Sequence, residues 1–120
     1  MAAILLVDDD DDVLTTLRVI LERAGHAVAT AGDGMRALDL LDEKRPFELL
    51  ITDVVMPGLN GFNLSRMARS RRPAIKILYL TGFHEQALAM RDPGERLGKL
   101  LTKPIFPDAL EREVGAALAV

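Results

Sequence analysis

Asp53 closes an apolar run, Leu49-Leu50-Ile51-Thr52, and is followed by Val54-Val55-Met56 and then by Pro57-Gly58, which must leave an extended strand. A carboxylate at the end of a buried strand has to be paired, bound to a cation or used. Three other apolar runs end on groups suited to the same task. Ala3–Val7 ends at Asp8-Asp9, Ile75–Leu80 at Thr81 and Lys99–Thr102 at Lys103. If these ends share one rim, three carboxylates repel, and at least one pKa rises unless a cation intervenes. Hard oxygen ligands with a few waters suit Mg²⁺. With a metal beside it, Asp53 stays ionised and nucleophilic, and an incoming phosphoryl group is neutralised. Lys103 can pair with the phosphoryl oxygens and Thr81 can donate a hydrogen bond to them. The set fits a phosphoryl acceptor whose product is an aspartyl phosphate.

The strand ends converge only if the strands run parallel, and the rest of the chain reads that way. Ala3–Val7 is apolar throughout, as expected of a strand buried on both faces. Beyond Asp8–Asp12 the period changes. Val13, Leu14, Leu17, Ile20, Leu21 and Ala24 fall on one helical face, and Gly25 closes that helix. Asp10–Asp12 suit its N-terminus as a solvated cap. His26–Ala31 reads as a second strand and Met35–Glu43 as a second helix, with Leu38 and Leu41 inward. Phe47–Thr52 is the third strand, and Asn60–Arg71 is a helix with Phe62, Met67 and Ala68 as core candidates. Ile75–Leu80 is the fourth strand. A short helix over His84–Met90 is cut off by Asp92-Pro93-Gly94. Lys99–Thr102 is a weak fifth strand, and Asp108–Leu118 is a last helix with Leu110, Val114 and Leu118 on one face. Such alternation of strand and helix predicts an α/β fold, a doubly wound five-stranded parallel sheet with a shortened or irregular fourth helix. Ligands bind such sheets at the carboxyl ends of the strands.

Composition narrows the function. At 120 residues the chain is expected to be one domain, spanning residues 1–120. It has no cysteine, which removes disulfides, thiolate metal sites and thiol nucleophiles. A net charge of −3, with four Phe and one Tyr, argues against direct nucleic-acid binding. No stretch approaches the roughly 18 apolar residues of a membrane span. Ala2–Val7 has no basic flank and is not a signal peptide, so a cytoplasmic location is expected.

The residues that carry the chemistry resemble a known family. Ile4-Leu5-Leu6-Val7-Asp8-Asp9-Asp10, Thr52-Asp53-Val54-Val55-Met56-Pro57-Gly58, Leu80-Thr81-Gly82 and Thr102-Lys103-Pro104, in that order and spacing, resemble the receiver domain of two-component response regulators. The resemblance implies a flavodoxin-like sheet of order 2-1-3-4-5. It implies that Asp53 is the phosphoacceptor, that Asp9 ligates Mg²⁺ directly and Asp8 largely through water, and that the Val55 backbone carbonyl joins the metal shell. Thr81 is then the switch hydroxyl and Lys103 the phosphate-pairing lysine, with a cis Lys103–Pro104 bond. The partner would be a histidine kinase or a histidine phosphotransfer protein. The domain would be a phosphoacceptor that promotes its own phosphorylation and dephosphorylation, not an enzyme. The Leu80-Thr81-Gly82-Phe83 wording is most similar to receivers attached to hybrid histidine kinases, or to free-standing ones.

Departures from the family pattern shape further expectations. Leu100 stands where an aromatic switch residue is usual, so an aromatic-flip readout is not expected. The eroded segment between the fourth and fifth strands argues that any homodimer is weak. Phe106 replaces the usual polar cap of the last helix, at a cost of about 1 kcal/mol. Val55 and Phe83 are apolar where polar groups would orient an attacking water, which predicts a long-lived phosphoryl group. Competing readings fare worse. An EF-hand starting at Asp8 fails because Val13 and Val19 occupy its glycine and glutamate positions. His84-Glu85 is no zincin start, since Leu88 stands at the second histidine position. Gly32-Asp33-Gly34-Met35-Arg36-Ala37 fits a dinucleotide fingerprint, but Asp33 would set a carboxylate against the pyrophosphate. A degenerate receiver, acting as an unphosphorylated interaction module, is the remaining alternative, and the intact five-residue set argues against it.

Overall fold

The apolar run at the start of the chain forms β1 (Ala3–Val7), with Ile4 to Val7 fully buried. Its side chains alternate between two cores, as the period of a strand requires. Leu5 and Val7 face one cluster, and Ile4 and Leu6 face the other. The structure is a computed structural model that describes residues 2–82 and 97–119. The helix expected over His84–Met90, and with it the shortened fourth helix of the fold, lies outside the described residues. So does Phe83.

The other elements are α1 (Asp11–Arg23), β2 (Ala27–Ala31), α2 (Gly34–Asp42), β3 (Leu49–Asp53), α3 (Gly61–Arg71), β4 (Lys76–Thr81), β5 (Lys99–Thr102) and α4 (Pro107–Leu118). The five strands form one parallel sheet of order β2-β1-β3-β4-β5. Helices α2 and α3 contribute to the first cluster, around Leu50, Phe62 and Tyr79. Helices α1 and α4 contribute to the second, around Ile51, Leu80 and Val114. Among the described residues, no helix is long and apolar enough to cross a membrane.

Local chemistry accounts for the helix ends. Asp10 caps α1, its Oδ1 accepting the amides of Asp12 at 2.9 Å and Val13 at 3.3 Å. Gly25 takes φ +95°, and the amides of Gly25 and His26 bond back to the carbonyls of Glu22 and Leu21. Asp33 caps α2 by accepting the Arg36 amide at 2.7 Å. That carboxylate occupies the helix N-terminus a pyrophosphate would need. Asn60 caps α3. Arg72 closes the far end of α2, its guanidinium donating to the carbonyls of Leu41 and Glu43. Phe106, as expected, makes no side-chain cap bond to α4 and is 69% exposed.

Two core assignments shift. Met67 and Ala24 face solvent, and Leu64 and Ser65 are fully buried in α3. The buried stripe of α3 runs through Gly61, Phe62, Leu64, Ser65 and Ala68, and Met67 falls outside it.

Candidate functional site

The sheet delivers its polar groups to the carboxyl ends of β1, β3, β4 and β5. Asp8 follows β1 directly and is fully buried. Its position is held three ways. Its amide donates to the Ala31 carbonyl at 3.2 Å, its Oδ1 accepts the Asp10 amide at 2.9 Å, and its Oδ2 accepts Lys103 Nζ at 2.6 Å. Asp53 is the last residue of β3 and 5% exposed. Lys103 Nζ lies 3.5 Å from its Oδ2. Asp9 is exposed beside them. One carboxylate oxygen each from Asp8, Asp9 and Asp53 lie within 4.8 Å of one another. The three acids and the lysine singled out from sequence therefore meet.

Thr81 ends β4 and is fully buried. Its carbonyl accepts the Lys103 amide at 2.7 Å, which ties the lysine's backbone to the neighbouring strand end. The Lys103–Pro104 peptide is cis, as the resemblance implied. Val55 lies half-buried in the β3–α3 loop, packed against the first core cluster.

Gly61 was not legible as part of this site. It opens α3, and its amide donates to the Val54 carbonyl at 2.9 Å. A Cβ at this position would collide with the Asp53 carbonyl oxygen and lie 2.9 Å from Val54 Cα. The absence of a side chain lets the start of α3 sit directly against the backbone of Asp53. The Asn60-Gly61 pair reads only as a helix start, and its contact is made by the tertiary fold.

The electrostatics follow from burial and crowding. Burial, then the Asp8 charge, raises the Asp53 pKa from 3.8 to about 6. Lys103 opposes this shift, and Asp9 adds to it. Burial pushes the Lys103 ammonium down. The hydrogen bond to Asp8 and the charges of Asp53 and Asp8 outweigh burial, so the lysine is held above its ordinary value. A divalent cation suits this donor set. It is all oxygen, anionic and crowded, and burial disfavours the charge on one of its carboxylates.

The chain matches the response regulator receiver domain family over residues 4–115. It is 40% identical over 114 residues to the response regulator receiver protein CpdR of Brucella abortus, covering 95% of this chain and 94% of CpdR. It is 34% identical over 104 residues to the sensor kinase CckA of the same organism, covering 86% of this chain but 11% of the kinase. Among solved structures, the chemotaxis protein CheY4 of Vibrio cholerae superimposes with a TM-score of 0.84 at 31% identity, covering 98% of this chain and 99% of CheY4. Motifs, sheet order and relatives agree, and the chain belongs to the receiver domain family of two-component response regulators.

Proposed function

We propose that this chain is a phosphoacceptor domain that takes a phosphoryl group from phosphohistidine onto Asp53. The observation that carries this reading is the meeting of Asp53 with Asp8, Asp9 and Lys103 at one rim of the sheet. A carboxylate oxygen of Asp53 attacks phosphorus. A P–O bond forms as the P–N bond to the imidazole breaks, and the imidazole leaves with the electron pair. Asp8, Asp9, Asp53 and the Val55 carbonyl would hold Mg²⁺, which supplies charge neutralisation for the transferring group. Lys103 turns from Asp8 toward the new phosphoryl oxygens, and the Thr81 hydroxyl follows them. The readout is a change in partner preference near β4 and β5, so the domain is a switched substrate more than an enzyme.

The donor would be a histidine kinase or a histidine phosphotransfer protein. Beside Lys103 a groove of about 410 Å³ is lined by Asp12, Val13, Thr16, Leu17, Pro104 and Ile105. Its apolar lining and its closeness to the lysine suit a helix that presents phosphohistidine. We assign the whole of residues 1–120 to this one domain, acting in the cytoplasm.

Incubation with Mg²⁺ and a small acyl phosphate, read by intact mass, tests the proposal. Wild type gains one phosphoryl group and Asp53→Asn gains none. No gain with any donor or kinase would favour an unphosphorylated interaction module.

A further inference from the structure

Leu100 lacks the ring that would report on Thr81, and a different buried ring stands beside it. Tyr79 is fully buried on β4, two residues before Thr81 and on the same face of the strand. It pairs in register with Leu100 on β5. Its ring meets Phe62 edge-on, with centroids 4.8 Å apart. Its hydroxyl lies 2.6 Å from Ser65 Oγ on α3 and accepts the Leu97 amide at 3.1 Å. Ser65 donates its own proton to the Phe62 carbonyl at 2.8 Å. The Tyr79 hydroxyl therefore donates to Ser65 and accepts from Leu97, and both hydroxyls are satisfied.

This hydroxyl joins the segments that carry the reactive groups. Helix α3 starts against the Asp53 carbonyl through Gly61. Strand β4 ends in Thr81, and Leu97 leads into β5, which Lys103 directly follows. A displacement of the β3–α3 loop reaches the hydroxyl through Ser65, and a displacement of Thr81 reaches it along β4. The bond to the Leu97 amide is the one that crosses from β4 and α3 to the segment leading into β5, so a shift of those elements relative to that segment loads it. We propose that Tyr79 is the coupling residue of this domain: its hydroxyl loosens from the Leu97 amide when Asp53 is phosphorylated and so passes the state of the site to the surface at residues 97–100. The inference rests on the phosphoacceptor reading above.

Hydrogen exchange at the Leu97 amide, followed by NMR with and without a sustained excess of acyl phosphate, tests it. In wild type, phosphorylation raises exchange at Leu97 by about fivefold, the equivalent of one neutral hydrogen bond. Tyr79→Phe keeps the ring and still takes up the phosphoryl group by mass, but its Leu97 amide exchanges fast in both states. Ser65→Ala, which removes the anchor on α3, also abolishes the dependence on state and covers the case in which Tyr79→Phe does not fold. An unchanged or slowed wild-type rate on phosphorylation overturns the inference. So does a Tyr79→Phe or Ser65→Ala variant that keeps the wild-type ratio between states, because a hydroxyl serving only stability would shift both states equally. Failure of wild type to gain phosphoryl mass would defeat the phosphoacceptor reading first, and this inference with it.

Discussion

Removing the charge of Asp53 should stabilise the metal-free protein. The folded state holds the Asp53 carboxyl at about 6 against an ordinary 3.8, through burial first and the Asp8 charge second. The folded protein therefore binds this proton more tightly than the unfolded chain does. Stability contributed by Asp53 is present below about pH 4, falls as pH rises through about 4 to 6, and is flat above that window. A displacement of this size corresponds to about 3 kcal/mol against the charged form at neutral pH. Asp53→Asn keeps the shape and removes the charge, but it costs Lys103 the more distant of its two carboxylate neighbours. The net gain expected is about 1 to 3 kcal/mol at about pH 7.5 in the presence of a chelator. Denaturant unfolding of both proteins in chelator, repeated down to about pH 4.5, measures it, and taking the difference cancels the titrating groups that lie away from Asp53. The gap should shrink as pH falls, because the wild-type carboxyl is then protonated as well. An Asp53→Asn variant no more stable than wild type at neutral pH, or a gap that does not change with pH, would refute the reasoning.

Mg²⁺ should raise the thermal midpoint of wild type, by about 10 °C at a hundred times its dissociation constant, and most of that gain should vanish in Asp9→Ala. Differential scanning with and without chelator reads both. Gly61→Ala should cost about 1 to 3 kcal/mol by denaturant unfolding and slow phosphoryl uptake, since the new methyl group strikes backbone atoms that cannot move aside. Phe106→Ser should stabilise by about 1 kcal/mol, because that position already has the extended backbone of a cap and lacks only the oxygen. Val55→Asn should shorten the phosphoryl lifetime followed by mass, and an unaltered decay would remove Val55 as a control on it.

The fold was legible because its signals are local and redundant. The run Ala3–Val7 could not be amphipathic, and Gly25 and Asp10 mark helix ends by backbone conformation and capping alone. Asp8, Asp53 and Lys103 were legible as a set because each follows an apolar run, and parallel pairing then places them on one rim. What escaped depends on the third dimension. Met67 and Leu64 are equally apolar, and only the direction from which the sheet meets α3 decides between them. Gly61 looks like any glycine at a helix start until the Asp53 carbonyl is seen against it. Tyr79 reads as a strand residue, and the partners of its hydroxyl lie 14 and 18 residues away in the chain.

The unequal distances from Lys103 to its two carboxylates have a thermodynamic consequence for metal binding. At rest the ammonium group already serves as the counter-ion of the acidic rim, held most closely by Asp8. Three carboxylates against one ammonium leave the rim net negative, and a divalent cation entering it would compete with that resident ammonium for Asp8. The affinity measured for it is then a net exchange free energy, weaker than the carboxylates alone would provide. A lysine drawn off Asp8 in this way would have its charge free to meet the next anion that arrives. Metal occupancy and the readiness of the lysine would then be linked through the carboxylate they share, Asp8.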